Sequence, residues 1–476
     1  MNNSLNSTFA SERNNIMNNN NHDPLNETAF QAFLEISNKD KDAIIQNFSD
    51  YVGVFKLFTE YNPHKICEIL NNLRNLITTK ENLKLYISCY EGLILFQNKD
   101  IRLLGINEFF LSINYGIENI KNLFYSDDFW ENVFKQSSEI IHKLINKEYY
   151  YCLKIFIYQL TNLFAIINEN NFSYFSLFLT NIKELIINNK EDIMLIGIES
   201  IYNILNNERM IKNITFLHNF ILLITNIIIN SLQNDILNIN INYFSVSSNK
   251  IQIYSLINKF MLNCKIQVEM INILDKIINN YLNIIINRDD IIIILDALEK
   301  SFNIAFSFNC NFDLRLAITY YENANNVIGL FKQMQTSIKI FYNLLVKLYI
   351  LNSNKENRLF CLEYIFENSI KVLKNFIDVN KDYISSKSKI EENEEKNINK
   401  NEINIEKKKL FEKERLINNM LEPINTYIFQ NILKFEFYKY DKYKNCIIEY
   451  LLELIMSDSE DLRKIIKDIL IKIYSN

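Results

Sequence analysis

The sequence predicts an all-α protein in which helical hairpins stack on one another. The 476-residue chain has only 6 glycines and 3 prolines, whereas β-sandwiches and barrels need turn residues about every 8–12 positions. Its apolar fraction of 48% is ample for a large core. Apolar residues recur at i, i+3, i+4 and i+7, as in Ile66, Ile69, Leu70 and Leu73, which is the stripe of an amphipathic helix.

The composition divides the chain into four segments. Residues 1–27 form a low-complexity, Asn-rich tail that we expect to be disordered. Residues 28–380 carry the helical stripes. Residues 381–418 contain Lys387–Arg415, where nine basic and eight acidic residues leave no apolar stripe, so we expect a charged, flexible insertion, with an exposed helix as the alternative. Residues 419–476 resume the helical period and predict a C-terminal helical repeat or cap.

The sequence contains an internal repeat, which indicates what type of helical architecture to expect. LILFQNKDIRLLGI (Leu93–Ile106) aligns without a gap with LIINNKEDIMLIGI (Leu185–Ile198), 92 residues later, with seven of fourteen positions identical. In each block one helix ends, a polar turn follows, and Asp100 or Asp192 is the expected N-cap of the next helix. Gly105 and Gly197 then fall inside that helix, which predicts close contact with a neighbouring helix.

The 92-residue offset divides into two shorter units. Small residues recur at 44- to 47-residue intervals, except for one longer gap before Ala317, at Gly105, Cys152, Gly197, Ala317 and Cys361. This period is typical of armadillo and HEAT arrays. The predicted fold class is therefore an armadillo/HEAT-like α-solenoid, a superhelix of stacked helical hairpins.

The chain lacks the usual catalytic and cofactor motifs. No G-x-x-x-x-G-K-[ST], G-x-G-x-x-G, H-E-x-x-H or G-x-S-x-G pattern occurs. The four histidines are far apart, and we interpret His142 and His218 as interface or partly buried side chains of helices. We therefore expect no enzymatic activity, no catalytic residues, no cofactor and no metal site. An enzyme with an unrecognised helical fold is the alternative.

The cysteines and the N-terminus predict a cytoplasmic protein, with the nucleus as a second compartment. The seven cysteines include no C-x-x-C pair, and an odd, unclustered set is typical of reduced thiols. The polar N-terminus has no apolar core of a secretory signal.

A lipid membrane and a single-stranded nucleic acid are two other classes of partner that the sequence brings into question. Asn213–Asn234 has no charged residue, but its five asparagines and His218 are costly in a bilayer, so we favour a buried helix over a membrane span. Tyr and Lys interleave in Glu148–Leu160 and Phe435–Lys444, a mixture that can stack on single-stranded bases. The net charge of −5 argues against nucleic acid, and we expect neither nucleic acid nor membrane as a partner.

One segment resembles a known family. YISCYEGLILFQNKDIRLLGINEFFLSINYG (Tyr86–Gly116) is similar to the early armadillo/HEAT units of the proteasome base-assembly chaperones, the family called 26S proteasome non-ATPase regulatory subunit 5. FSLFLTNIKELIINNKEDIMLIGIESIYNIL (Phe175–Leu205) resembles a later unit. Three further segments follow in the family's order: Asp313–Leu330, Asn357–Ile370 and Ile424–Leu454. The charged insertion departs from the family pattern.

The resemblance implies a non-enzymatic chaperone. Such proteins hold the C-terminal domain of a proteasomal ATPase subunit while the base of the regulatory particle assembles. The predicted solenoid also favours a protein partner, because its second helices form one continuous face. We expect the free chain to be monomeric. The candidate partner-binding residues on those helices are of mixed charge: Arg102, Glu108, Lys154, Glu199, Arg315, Glu322 and Glu363.

Two alternatives remain open at this point. The chosen polar residues can equally form an ordinary solvated helix face. The chain can also be a generic armadillo/HEAT adaptor in transport or in another complex. The classical import adaptor is disfavoured, since its Trp–Asn ladders need several tryptophans and Trp130 is the only one.

Overall fold

The fold was described from a computed structural model. The described residues are 24–166, 174–231, 250–284, 287–321, 327–351, 355–395, 400–435, 437, 441–454 and 460–475. Helices and turns account for their regular structure, and no strand occurs among them. The predicted all-α class is thus confirmed.

The chain divides into two compact units, Met1–Asn181 and Ile182–Asn476. The first unit contains α1 (Pro24–Lys39), α2 (Lys41–Gln46), α3 (Phe48–Tyr61), α4 (Pro63–Arg74), α5 (Lys80–Ser88), α6 (Tyr90–Ile94), α7 (Lys99–Asn119), α8 (Asp127–Asn146) and α9 (Tyr150–Ile166). The division falls inside α10 (Phe175–Ile186).

The second unit is built in the same way. It contains α11 (Glu191–Leu205), α12 (Glu208–Lys212), α13 (Ile214–Ser231), α14 (Lys250–Tyr281), α15 (Arg288–Cys310), α16 (Phe312–Tyr321), α17 (Phe331–Leu351), α18 (Lys355–Glu395), α19 (Lys400–Leu416), α20 (Glu422–Ile432), α21 (Asp441–Leu454) and α22 (Glu460–Tyr474).

Within each unit a helix packs on the helix next to it and on the one after that. In the first unit α7 packs on α6 and α9, and α9 also packs on α8. In the second unit α13 packs on α14 and α15, α15 on α17, and α17 on α18 and α20. Contacts between neighbours in sequence are the mark of stacked helical hairpins, the arrangement of an α-solenoid.

The 92-residue repeat is confirmed by two equivalent glycine contacts. A Cβ atom on Gly105 would lie 2.9 Å from the backbone nitrogen of Ile94 and 2.8 Å from Leu93 Cβ. A Cβ atom on Gly197 would lie 2.8 Å from the nitrogen of Ile186 and 3.0 Å from Leu185 Cβ. The two contacted pairs are themselves 92 residues apart. In both repeats the absence of a side chain on the glycine therefore lets the second helix pack directly on the backbone at the C-terminal end of the first helix.

These contacts predict the effect of adding one methyl group. Gly105→Ala and Gly197→Ala should each lower the free energy of unfolding by about 1–3 kcal/mol, because the backbone atoms they meet cannot rotate away. Gly53→Ala is the matched control. Gly53 also lies within a helix, has nothing within 4 Å of its Cβ position, and should gain about 0.5–1 kcal/mol. Urea denaturation followed by circular dichroism measures all three; equal effects would contradict the close contact.

Asparagine begins many of these helices. Asn98 Oδ1 accepts hydrogen bonds from the backbone N–H groups of Asp100 and Ile101, and Asn62, Asn207 and Asn287 cap their helices in the same way. The predicted N-caps Asp100 and Asp192 are wrong by two residues, since both lie in the first turn of their helices. The acidic side chains there still complement the helix dipole.

The charged insertion differs from its prediction. The chain is helical through Glu395 in α18 and again throughout α19, and these two helices pack together. Leu416 is fully buried, and Ile390 and Glu412 are nearly so. The described residues of 381–418 are therefore helical, as in the alternative of a helix and not as in a flexible segment, and buried side chains and ion pairs hold them. A π-helical turn, Ile417–Leu421, then leads into α20, whose first turn contains Pro423. The predicted disordered tail lies outside the described residues over 1–23, whereas its last four residues, 24–27, are helical and begin α1.

Helix α13 corresponds to the uncharged stretch of the sequence. It is long and apolar enough to cross a membrane by length and composition, with a mean hydropathy of 1.6, and 56% of it is buried inside the protein. It packs on α14 and α15, and the Nδ1 atom of His218 lies 2.5 Å from the buried carboxylate of Asp290 on α15. In this structure α13 is a packed helix of the second unit.

Candidate protein-binding surface

Helix α9 in the first unit carries an exposed row of tyrosines. Its inner side buries Leu153, Phe156, Ile157 and Leu160, and Phe156 meets the ring of Phe110 at a centroid distance of 5.2 Å. On its outer side Tyr151 is 55% exposed and Tyr158 is 51% exposed. These positions are two helical turns apart, with the exposed Lys154 between them. We call Tyr151, Lys154 and Tyr158 the tyrosine face.

A neighbouring helix supports this face with a cation. Lys99, the first residue of α7, places its Nζ atom 4.0 Å from the centre of the Tyr151 ring. A lysine over an aromatic ring contributes about 0.5–1 kcal/mol at an exposed site. The contact restrains the ring, so Tyr151 has less conformational freedom to lose than an unsupported exposed side chain.

The turn before α9 is held by Arg102. This arginine is buried, and its Nη1 donates to the carbonyl oxygens of Phe96 at 2.8 Å and Gln97 at 2.6 Å. Its guanidinium lies 3.7 Å from the ring centre of Tyr149, and Nε lies 3.3 Å from the sulfur of Cys152. Arg102 therefore connects the end of α6 to the start of α9.

The same turn contains a strained residue. Glu148 has φ of 59°, in the left-handed region, and its N–H donates to Ile145 O at 3.0 Å. The N–H of Tyr149 donates to Leu144 O, also at 3.0 Å. Together these bonds are the Schellman ending of a helix, in which glycine usually takes the left-handed position. A glutamate there costs about 1 kcal/mol, and the geometry turns Tyr149 onto Arg102.

Arg315 in the second unit plays a part similar to that of Arg102. Both arginines follow an Asn-x-Asp-x-Arg sequence, and both donate to the carbonyl oxygen of the residue six positions earlier. Arg315 is fully buried; it donates to Asn309 O at 3.1 Å, to Ile328 O at 2.7 Å and to Glu412 of α19 at 3.0 Å.

The expectation that all seven candidate residues lie on an open face is wrong for these two arginines. Their donors are occupied inside the chain, which polarity alone does not reveal. Glu108 is largely covered and pairs with Arg74 at 2.9 Å. Lys154, Glu199 and Glu363 are exposed, whereas Glu322 lies outside the described residues.

The second Tyr/Lys cluster of the sequence has a different role. Phe435, Phe437 and Tyr443 are buried, and Tyr443 stacks on Phe366 at a centroid distance of 4.6 Å. The described rings of this cluster therefore belong to the core. The two clusters differ in which way their rings face, and sequence composition does not give that direction.

A buried polar network was not anticipated from the sequence. Gln267, Ser301, Gln333 and Ser337 are all buried; Ser301 Oγ donates to Gln267 Oε1 at 2.8 Å, and Gln333 Nε2 donates to both residues. Gln267 also donates to Ile228 O, which links α13 to α14, α15 and α17. Such a network fixes how the helices align along their lengths. The sequence feature that could have indicated this network is the position of Gln267 and Gln333 within the apolar stripes of their helices.

The described cysteines are free thiols, and all of them except the partly exposed Cys310 are buried. Burial raises the pKa of the Cys67, Cys89 and Cys361 thiols to about 12. Among the described residues no group of His, Cys, Asp and Glu side chains has the arrangement needed to hold a metal ion. The side chain of Cys446 lies outside the described set.

These raised values predict slow alkylation. Iodoacetamide reacts with thiolates, and a pKa raised from 9.0 to about 12 leaves about a thousandfold less thiolate at pH 8. Cys67, Cys89 and Cys361 should therefore stay unmodified in the folded protein and react in urea. Mass spectrometry of tryptic peptides measures this, and rapid labelling of the native chain would contradict the packing of these residues.

Part of the chain matches the model of a known protein domain family. A family model described as the BIG2 C-terminal domain matches residues 265–471, which is less than half of the chain. No curated protein matches the chain. Among solved structures, one titled "Circular tandem repeat protein with novel repeat topology and enhanced subunit contact surfaces" is 10% identical, with 91% of this chain and 97% of that chain covered. Its TM-score of 0.20 is too low for the likeness to carry any argument.

Proposed function

We propose that this chain is a non-enzymatic protein-binding scaffold that docks a folded partner on the tyrosine face of α9. The observation that carries the proposal is the pair Tyr151 and Tyr158, each about half exposed on one side of a helix whose other side is core. Tyrosine is enriched among the residues that dominate binding energy at protein interfaces. Helical-repeat architecture is well suited to such a role. The reduced thiols support a cytoplasmic or nuclear setting.

A narrower form of the proposal names the partner. The sequence resemblance to the proteasome base-assembly chaperones supports the C-terminal domain of a proteasomal ATPase subunit. The alternative is a generic helical-repeat adaptor in transport or in another complex. The match of residues 265–471 to the BIG2 C-terminal domain includes three of the five segments that resemble the chaperones, so those three segments do not favour the chaperone over the adaptor.

The proposal is tested by comparing two pairs of tyrosine substitutions. Full-length protein, the variant Tyr151→Ala/Tyr158→Ala and the control Tyr125→Ala/Tyr320→Ala are used to capture partners, which mass spectrometry then quantifies. The control removes two exposed tyrosines elsewhere. We expect the first variant to reduce recovery of a stoichiometric partner at least tenfold, since buried interface tyrosines contribute about 2 kcal/mol or more. The control should recover that partner normally.

The narrower form has its own measurement. Each purified proteasomal ATPase C-terminal domain is titrated against the full-length chain, and one should bind. Indifference to all of them would exclude the chaperone and leave the adaptor. Equal recovery of every partner by wild type and by the Tyr151/Tyr158 variant would overturn the docking face itself.

A further inference from the structure

The outer side of α22 forms an apolar groove in the second unit. The groove has a volume of about 430 Å³ and is lined by Arg463, Ile466, Lys467, Leu470, Ile471 and Tyr474. The other sides of α22 pack on α20 and α21, where Leu462, Ile469 and Ile473 are buried. Ile471 is nevertheless 54% exposed and Tyr474 is 72% exposed. We call this surface the α22 groove.

The groove is bordered by positive charge. Arg463 and Lys467 lie one turn apart at one end, and the described residues offer neither of them an ion-pair partner. At the other end, Lys444 of α21 places its Nζ atom 6.0 Å from the centre of the Tyr474 ring. No carboxylate is among the described residues that line the groove. An apolar floor between cations attracts a ligand that carries apolar and acidic groups together.

The length of the groove indicates the shape of its ligand. From Arg463 to Tyr474 the lining extends along three turns of helix, about 16 Å at 1.5 Å per residue. A second helix laid along it would place residues i, i+3, i+4 and i+7 on the apolar floor. The other helices of this unit bury their apolar stripes by the same kind of contact.

We propose that the α22 groove docks an acidic amphipathic helix of a partner protein. Its apolar stripe lies on Leu470, Ile471 and Tyr474, and its flanking carboxylates meet Arg463, Lys467 and Lys444. This inference rests on the proposed scaffold function and adds a second surface with a defined partner chemistry. A second copy of the chain fits poorly, because cations border the groove at both ends and a symmetric pair would bring like charges together.

The test uses two synthetic helical peptides and the full-length chain. One peptide carries leucines at i, i+3, i+4 and i+7 with glutamates at the flanking positions; the other replaces every glutamate with lysine. Fluorescence anisotropy measures their binding to wild type and to three variants. Ile471→Asp damages the groove floor, Ile384→Asp is the control at an isoleucine that is 55% exposed on α18, and Arg463→Glu/Lys467→Glu reverses the charge.

The expected results are specific to the groove. The glutamate peptide should bind wild type at least tenfold more tightly than the lysine peptide, Ile471→Asp should weaken it at least tenfold, and Ile384→Asp should leave it unchanged. The charge-reversed variant should prefer the lysine peptide. Equal binding of the two peptides, no binding of either, or an unaffected Ile471→Asp would overturn the proposal.

Two further measurements separate the possible failures. Sedimentation of the free chain detects self-association; a dimer dissociated by Ile471→Asp would make the occupant a second copy and overturn the proposal. If the peptides fail while capture still depends on Tyr151 and Tyr158, the α22 inference alone is wrong. If partner capture does not depend on Tyr151 and Tyr158 while the glutamate peptide binds as expected, the proposal for the tyrosine face is wrong. The proposal for the α22 groove is then still supported.

Discussion

Replacing Arg315 with methionine is expected to lower the free energy of unfolding of the second unit by about 3–5 kcal/mol. Methionine keeps most of the volume but removes the donors that meet Asn309 O, Ile328 O and Glu412. The carboxylate of Glu412, which is 7% exposed, would lose its closest cation and keep only Arg415, at 3.5 Å. A buried charge left without its partner is among the most costly single changes in a protein.

A double substitution separates charge from packing. Arg315→Met/Glu412→Leu removes both charges, so it should cost clearly less than Arg315→Met alone. Arg463→Met is the control, because that arginine is exposed and should change stability by less than about 0.5 kcal/mol. Hydrogen exchange of peptides from α16 and α19 locates the effect. A loss of the same size in all three variants would show that the ion pair is not the cause.

Some of the fold was predictable because its determinants are local. Gly105 and Gly197 could be paired by alignment, since a glycine that meets a backbone nitrogen 11 residues earlier uses only the hairpin that contains it. The helical stripes were predictable for the same reason. The N-cap of α7 was displaced by two residues because asparagine favours that position as strongly as aspartate, and Asn98 takes it. At α11 the N-cap is Lys190, whose side chain makes no capping hydrogen bond, and no residue preference gives that position.

The candidate sites were harder to predict, because burial depends on contacts distant in sequence. Arg102 and Arg315 were chosen as exposed cations, yet each donates to backbone oxygens that any sequence provides. Glu412 is 97 residues from Arg315 in the sequence, so no local pattern pairs them. Glu412 also lies in the charged run Lys387–Arg415, and such runs are usually solvent-exposed. Tyr151 and Phe435 belong to similar Tyr/Lys clusters, but only the packed structure shows that one ring faces outward and the other inward.

Replacing Lys400–Arg415 with a Gly/Ser linker of equal length should destabilise the second unit by more than the Arg315 substitution does. The replacement removes Glu412 and so leaves Arg315 buried without its carboxylate, a loss of about 3–5 kcal/mol. It also removes the pairs of Lys409 with Asp313 at 3.0 Å and Lys413 with Asp382 at 2.5 Å, each worth about 0–1 kcal/mol at its partial exposure.

The matched control changes the same helix without touching its packed side. Ile405→Ser/Phe411→Ser alters two residues of α19 that are more than half exposed, and it should leave the midpoint of thermal unfolding nearly unchanged. Circular dichroism gives the midpoint, and hydrogen exchange in α16 and α18 shows whether the surfaces under α19 have opened. A linker variant as stable as wild type would mean that α19 does not pack through Glu412, and that the charged segment is the solvated insertion its composition predicts.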